Sequence, residues 1–220
     1  MRAQDLAIAA GDDRIVVRYE PASTASAAPL FVMAHGAGGH MSDRGMSALA
    51  ALLRDCGLAV ARFDFPYRAR GSRRPDPMPR LAECIAAVAT QVAAEVGATR
   101  LVIGGRSMGG RAASTLAADG FACDRLLLLA YPLHPAGEPA KLRDAHLPRI
   151  AVPVLCFNGT RDSLCRRDLM DAVVARLRGD FRMHWLEGAD HSFHVTRSSG
   201  RTDADVLDEI GTQTRAWLAD

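Results

Sequence analysis

The sequence predicts an α/β fold: a mostly parallel central sheet covered by helices on both faces, with an antiparallel hairpin at one edge. Three observations predict it. After residue 29, short apolar runs alternate with longer stretches whose apolar residues recur at helical spacing. The short runs are apolar nearly throughout rather than at every second residue, which marks strands buried on both faces. Neither an internal repeat nor a break in composition divides the 220 residues, so one domain, 1–220, is expected.

The elements follow in order. Segments 6–9 and 15–19, parted by Gly11-Asp12-Asp13, read as a hairpin, and a small-residue connector over 21–29 follows. The apolar run 30–34 is the next strand and ends in His35-Gly36-Ala37-Gly38-Gly39. A helix over 43–55 places Met46, Leu49, Leu52 and Leu53 on one face. A strand over 58–63 leads through an arginine- and proline-rich loop, 64–79, to a helix carrying Leu81, Ile85, Val88, Val92 and Val96. Strands are expected over 101–104, 125–130, 152–157 and 182–186. Helices are expected over 108–118 and 168–177, and from about Thr202, where Thr202 and Asp205 form a capping box with Asp in place of Glu or Gln.

Composition removes several classes of function. Twenty-seven basic against 25 acidic residues leave a net charge of +2, without the basic stripe of a dedicated nucleic-acid binder. The five cysteines, Cys56, Cys84, Cys123, Cys156 and Cys165, are scattered and form no C-x-x-C. They read as small buried hydrophobes of a reducing compartment rather than zinc ligands. Residues 1–13 lack the character of a secretory signal, and the longest apolar stretch, 126–131, is far short of a membrane span. A soluble, cytoplasmic protein with neither nucleic-acid nor membrane partners is expected; its oligomeric state is not legible.

The strongest local signal is Gly105-Arg106-Ser107-Met108-Gly109, a G-x-S-x-G between a buried strand and a helix. A sharp strand-to-helix turn lifts a serine hydroxyl clear of the sheet, and small flanking residues permit the turn. The helix behind the serine directs its positive end toward a site where negative charge develops. Neither the P-loop spacing nor the dinucleotide G-x-G-x-x-G is matched.

A nucleophilic serine needs a base and a group that orients the base. In this arrangement the order along the chain is serine, acid, histidine. The acid is expected after strand 152–157, where Asn158-Gly159-Thr160-Arg161-Asp162 supplies Asp162; Asp168 and Asp171 fall inside the following helix. The histidine is expected in the loop after the last strand, where Gly188-Ala189-Asp190-His191-Ser192-Phe193 supplies His191. His194, three residues on, is the second candidate, because loop limits are read only to within a few residues. The oxyanion hole needs two backbone N–H donors, expected from Met108 and from Ala37 in the glycine turn, with His35 as a structural hydrogen-bonding residue.

No metal is expected. His191 and His194 are the closest histidine pair, without an H-E-x-x-H or a cysteine cluster. Segment 64–74 packs Arg68, Arg70, Arg73 and Arg74 beside a strand end that borders the pocket. They could receive an anionic group, or form a solvated basic loop, the reading favoured here.

The sequence resembles the alpha/beta-hydrolase superfamily over essentially its whole length, and within it the small bacterial hydrolases akin to dienelactone hydrolases. It is also similar to the hydrolase-like domain in a subunit of the non-specific-lethal chromatin complex. The resemblance rests on 35–39, 64–68, 104–111, Tyr131-Pro132-Leu133-His134-Pro135, 159–162 and 190–193. It implies a serine hydrolase of a carboxylic ester, thioester or lactone, with Ser107 as nucleophile, His191 as base, Asp162 as orienting acid and no cofactor. Its partner would be a small-molecule acyl substrate, with Tyr67, Arg68 and His134 as substrate-binding positions. Dienelactone hydrolases proper use cysteine where this chain has Ser107. Two other readings stay open: a peptidase or amidase using the same residues, and a non-catalytic interaction module on the same fold. Many relatives insert a helical cap after the strand equivalent to 125–130; here the proline-rich 131–151 is too short for one, and an open site follows.

Overall fold

Side chains alternate across the strands, and each face of the sheet collects its own apolar set. In β3 (Leu30–Ala34), Leu30, Val32 and Ala34 join one core while Phe31 and Met33 join the other. The computed structural model describes residues 2–23 and 27–220, so the middle of the connector 21–29 lies outside the described residues.

The hairpin is β1 (Gln4–Ala10) and β2 (Asp13–Glu20), paired antiparallel and turned by Gly11. β2 in turn pairs antiparallel with β4 (Ala59–Phe63). From there every pairing is parallel, through β3, β5 (Leu101–Arg106), β6 (Arg125–Leu129), β7 (Val154–Gly159) and β8 (Phe181–Leu186). The eight strands lie in the order β1-β2-β4-β3-β5-β6-β7-β8.

One face carries α1 (Arg44–Asp55) and α6 (Asp203–Ala219), which bury Met46, Leu49, Leu53, Val206, Ile210 and Trp217. The other carries α3 (Met78–Val96), α4 (Met108–Ala118) and α5 (Arg167–Val174). The Thr202–Asp205 capping box opens α6: Asp205 N–H donates to the Thr202 hydroxyl and Thr202 N–H to the Asp205 carboxylate.

Two differences from the sequence reading have physical causes. The loop 64–79 contains a short helix, α2 (Pro66–Ala69), with Pro66 at its first turn, where a missing N–H costs nothing. The strand expected over 152–157 begins at Val154 because Pro153 has no N–H for the ladder. Between β6 and β7 the only helical structure is a single 3₁₀ turn, Leu147–Arg149.

The order reverses at β3, which has β4 on one side and β5 on the other. Loops leaving the C-terminal ends of β3 and β5 therefore diverge and open a crevice, the usual place for a site in an open parallel sheet.

Candidate active site

β5 ends at the crevice, and the chain turns there within one residue. Ser107 adopts φ +51° and ψ −116° between strand and helix, a strained backbone for a side chain of its kind. The turn is possible because the residues around it are glycines, which let the backbone of the neighbouring strand β3 lie directly against them. A Cβ on Gly105 would sit 2.1 Å from the Ala34 carbonyl oxygen, and one on Gly109 would sit 2.5 Å from the same atom. Ser107 N–H donates to Leu129 O (2.9 Å) and Ser107 O accepts from Arg111 N–H (3.0 Å), which locks both sides of the turn.

Around this serine the structure brings together residues far apart in sequence. The Ser107 hydroxyl donates to His191 Nε2 (2.9 Å), and His191 Nδ1–H donates to Asp162 Oδ2 (2.8 Å). Asp162 lies just past β7 with its side chain fully buried, and His191 lies in the loop past β8, about a quarter exposed. Burying a carboxylate is costly unless its lone pairs are used. Asp162 Oδ1 accepts from Leu164 N–H (2.8 Å), and Oδ2 accepts additionally from Asn158 Nδ2 (3.0 Å).

Asn158 is a residue the sequence reading missed. It is completely buried at the end of β7, and its amide also closes a two-point contact with Tyr131, accepting from the N–H (3.1 Å) and donating to the carbonyl (3.0 Å). The available signal was one amide at the end of the apolar run Val-Leu-Cys-Phe, at the residue that would face the acid. Arg106, the residue before the serine, also contacts the site. It makes no ion pair among the described residues; its Nη2 donates to Ser192 Oγ (2.9 Å) and His191 O (3.3 Å).

The competing candidates point elsewhere. His194 is two-thirds exposed and pairs with Asp203 at the start of α6 (2.6 Å). Asp168 pairs with Arg166, and Asp171 accepts from Trp185 Nε1.

The glycine turn lies against the serine: a Cβ on Gly36 would be 3.3 Å from Ser107 Cβ. Ala37 is exposed at the turn, which is closed by Gly39 N–H donating to Gly36 O (3.0 Å). His35 supports the turn from below. It is wholly buried, accepts from Phe65 N–H at Nε2 (3.2 Å) and contacts Gly36 O through Nδ1 (2.7 Å). Burial holds its pKa below the ordinary histidine value, so it keeps the neutral form this pattern requires. Asp64 accepts from Met41 N–H (2.7 Å) and pairs with His40 (3.0 Å), fixing the far end of the turn.

The expected substrate-binding residues fare unequally. Tyr67 is buried, its ring 6.0 Å from that of His35, and its hydroxyl lies unsatisfied beside the Gly38 backbone. Arg68 has no ion pair among the described residues, and its Nε is buried without an acceptor. His134 is corrected: it is buried, Arg166 N–H donates to its Nε2 (3.2 Å) and its Nδ1 contacts Pro135 O (2.9 Å), so both nitrogens are occupied by backbone. Of the arginine run, Arg70 is held by Asp13 and Asp76, whereas Arg73 and Arg74 are exposed. Among the described residues no three His, Cys, Asp or Glu side chains converge as a metal site, and no helix is long and apolar enough to cross a membrane.

Comparison with known proteins extends this picture. A family model described as "Alpha/beta hydrolase domain" matches residues 27–219. Among solved structures, an alpha-beta serine hydrolase homologue from Coxiella burnetii superposes with a TM-score of 0.78 at 21% identity, over 99% of this chain and 98% of that one. An a/b serine hydrolase without lid from Xanthomonas campestris gives 0.76 at 18% identity, over 99% and 95%. A dienelactone hydrolase from Anabaena variabilis gives 0.74 at 18%, over 100% and 98%. At these identities the likeness is one of fold.

Proposed function

The chain belongs to the alpha/beta hydrolase family, and from that premise we propose that it is a serine hydrolase cleaving a carboxylic ester, thioester or lactone. The observation that carries this reading is the unbroken hydrogen-bond path from Ser107 through His191 to the buried Asp162. Ser107 Oγ attacks the acyl carbon as its proton passes to His191 Nε2. Asp162 holds the imidazole in the tautomer that can accept that proton and stabilises the imidazolium that forms. The carbonyl oxygen, now an anion, is met by the N–H groups of Met108 and Ala37. His191 then gives the proton to the leaving group, and an acyl-Ser107 ester remains. Water, deprotonated by His191, attacks that ester; the intermediate expels Ser107 Oγ, which recovers the proton and releases the acid.

The short segment between β6 and β7 supports an open site, as in the lidless neighbour, and Arg68, which has no ion pair among the described residues, is a cation that can meet an anionic substrate group. A fluorophosphonate probe tests the reading. It is expected to label Ser107 and to leave Ser107→Ala unlabelled, and a panel of p-nitrophenyl esters and acyl thioesters is expected to be turned over only by the wild type. Undiminished labelling of Ser107→Ala, or no turnover across the panel, overturns it, and the second outcome favours an interaction module.

A further inference from the structure

One contact of this site is made by a residue that no step of the reaction uses. Arg106 is the last residue of β5 and directly precedes Ser107, while its guanidinium reaches across to the loop that carries His191. Strand alternation puts it on the α1 and α6 face, with Val102, rather than on the face covered by α4. There its Nη1 faces Gly45 of α1, where a Cβ would be 3.6 Å away, so the small residue leaves room for the guanidinium head.

We infer that Arg106 is a positioning residue, a clamp that ties the nucleophile's strand to the His191 loop and sets the distance between hydroxyl and imidazole. The rest of the loop's bonding shapes it without attaching it there. Asp190 accepts from Ser192 N–H (2.7 Å) and His194 N–H (3.0 Å), Phe193 is buried with φ +66°, and Ala189 bridges Val195. The Asp190 hydrogen bonds are internal to the turn, Phe193 packs into the core with α1 and α6, and the ties that leave the loop, Arg161 N–H to Ala189 O (2.9 Å) and Val195 N–H to Asp203 of α6 (2.9 Å), end away from β5. Apart from Arg106, only the bond between the His191 ring and the Ser107 hydroxyl joins this loop to the end of β5 among the described residues, so without a second tether the loop can shift against Ser107. Arg106 supplies the tether at Ser192 Oγ and His191 O. A guanidinium suits the task because its donors are held in a rigid plane and stay charged at every working pH. Burial without an ion pair is costly for such a group, and here Asp43 and Asp190 lie near enough to offset part of that cost.

A cavity of about 470 Å³ adjoins the guanidinium, between α1, α6 and the loop, with Leu49, Phe193 and Leu207 among its walls. It gives the test a route to the clamp by a small molecule. In Arg106→Ala the missing atoms amount to an ethylguanidinium, which can enter from this cavity.

This inference rests on the serine-hydrolase reading, so two readouts are paired. Arg106→Ala is expected to lower kcat about 10- to 100-fold, the scale of an ångström's misplacement, with KM changed less than about twofold. Added N-ethylguanidinium is expected to restore much of kcat, and propylammonium, which lacks the fork, is not. Ser192→Ala should lose less, since the His191 O contact survives. In parallel, the downfield proton resonance of the His191 ring N–H against Asp162, followed with labelled histidine, is expected to broaden in Arg106→Ala and sharpen again with N-ethylguanidinium. An unchanged kcat overturns the clamp, as does a loss confined to KM or a loss that tracks a lowered melting temperature and resists N-ethylguanidinium. A wild type that neither labels nor turns over ester, but whose His191 resonance responds in this way, overturns the proposed function and supports the clamp. An unmoved resonance overturns the clamp whatever the activity.

Discussion

Asn158 has no step in the proposed reaction, yet its amide joins Asp162 to Tyr131 and so ties that carboxylate to the end of β6. A hydrogen bond to a charged group is worth about 1.5–3 kcal/mol, and a buried group left without its partner costs about as much again. Asn158→Asp keeps the volume and replaces the donor facing Asp162 with a second acceptor. Two carboxyl groups in contact cannot both ionise cheaply, so one is driven to hold a proton. The expected outcome is a fall in kcat of about three- to tenfold if half of that hydrogen-bond energy reaches the transition state. A steady-state comparison of the two proteins on one ester checks it, and equal kcat would show that the amide only fills space. Asn158→Ala is expected to be worse for the fold than for the chemistry, because it strands the Tyr131 N–H and carbonyl as well.

At the scale of elements, the strand-to-helix turn is where local and tertiary constraints coincide. Gly105 and Gly109 both press on Ala34, which belongs to the neighbouring strand β3, and β3 itself runs into the glycine turn. The turn that carries Ser107 and the expected oxyanion donor are therefore one packed unit. Gly109→Ala would force its Cβ within 2.5 Å of the Ala34 carbonyl oxygen and 2.7 Å of the His35 carbonyl oxygen, both backbone atoms that no rotamer change can move aside. Overpacking typically costs about 1–3 kcal/mol, and the expected result is a loss of stability of at least that size in urea unfolding, with lowered turnover in the protein that remains folded. The same coincidence explains what the sequence could disclose. Gly-Arg-Ser-Met-Gly is legible because steric need fixes both residue type and spacing, and Asp162 and His191 are legible because the strand order dictates which loops meet Ser107. Helix α4 was read with its observed limits for the same reason, since a glycine turn marks its start. Asn158 and the contacts of Arg106 were not legible, because each partner lies in a loop whose path depends on the whole sheet. His134 is the converse case: the resemblance offers it as a substrate-binding position, and only the fold reveals that Arg166 and Pro135 already occupy both its nitrogens. The four-residue α2 lies below the length at which apolar periodicity registers, and what holds it is the packing of Phe65 and Tyr67 around His35.

For the whole molecule, histidines partly or wholly withdrawn from water couple the fold to pH. His35 lies under the glycine turn and His146 lies on the segment between β6 and β7, in contact with Ser114 Oγ of α4 (2.8 Å). Burial lowers both pKa values; that of His146 falls to about 4, with the Arg111 and Arg149 cations adding to the effect of burial. An unfolded chain restores a histidine to about 6.5. Below that pH the unfolded state takes up protons that the folded state refuses, so the equilibrium moves toward unfolding as acid is added. The contribution is complete above about pH 6.5 and for His146 is lost as pH falls toward about 4. Carboxylates held low by partners, such as Asp203 and Glu209, act in the same direction but only near and below the ordinary carboxylate range. The two sets therefore separate: a decline in urea midpoint between about pH 6.5 and 5 belongs to histidine, and a steeper one below about pH 4.5 to the acids. His146→Gln, which can still meet the Ser114 hydroxyl but does not titrate, is expected to flatten the first decline and leave the second. A midpoint independent of pH over the upper window in the wild type would mean that neither histidine is held neutral. If the decline is present, protonation of His35 strikes the site as well, since a charged ring cannot accept from Phe65 N–H and the glycine turn above it loses its support. Turnover should then fall with stability at acid pH, and a variant that flattens the His146 contribution alone should keep that fall in turnover.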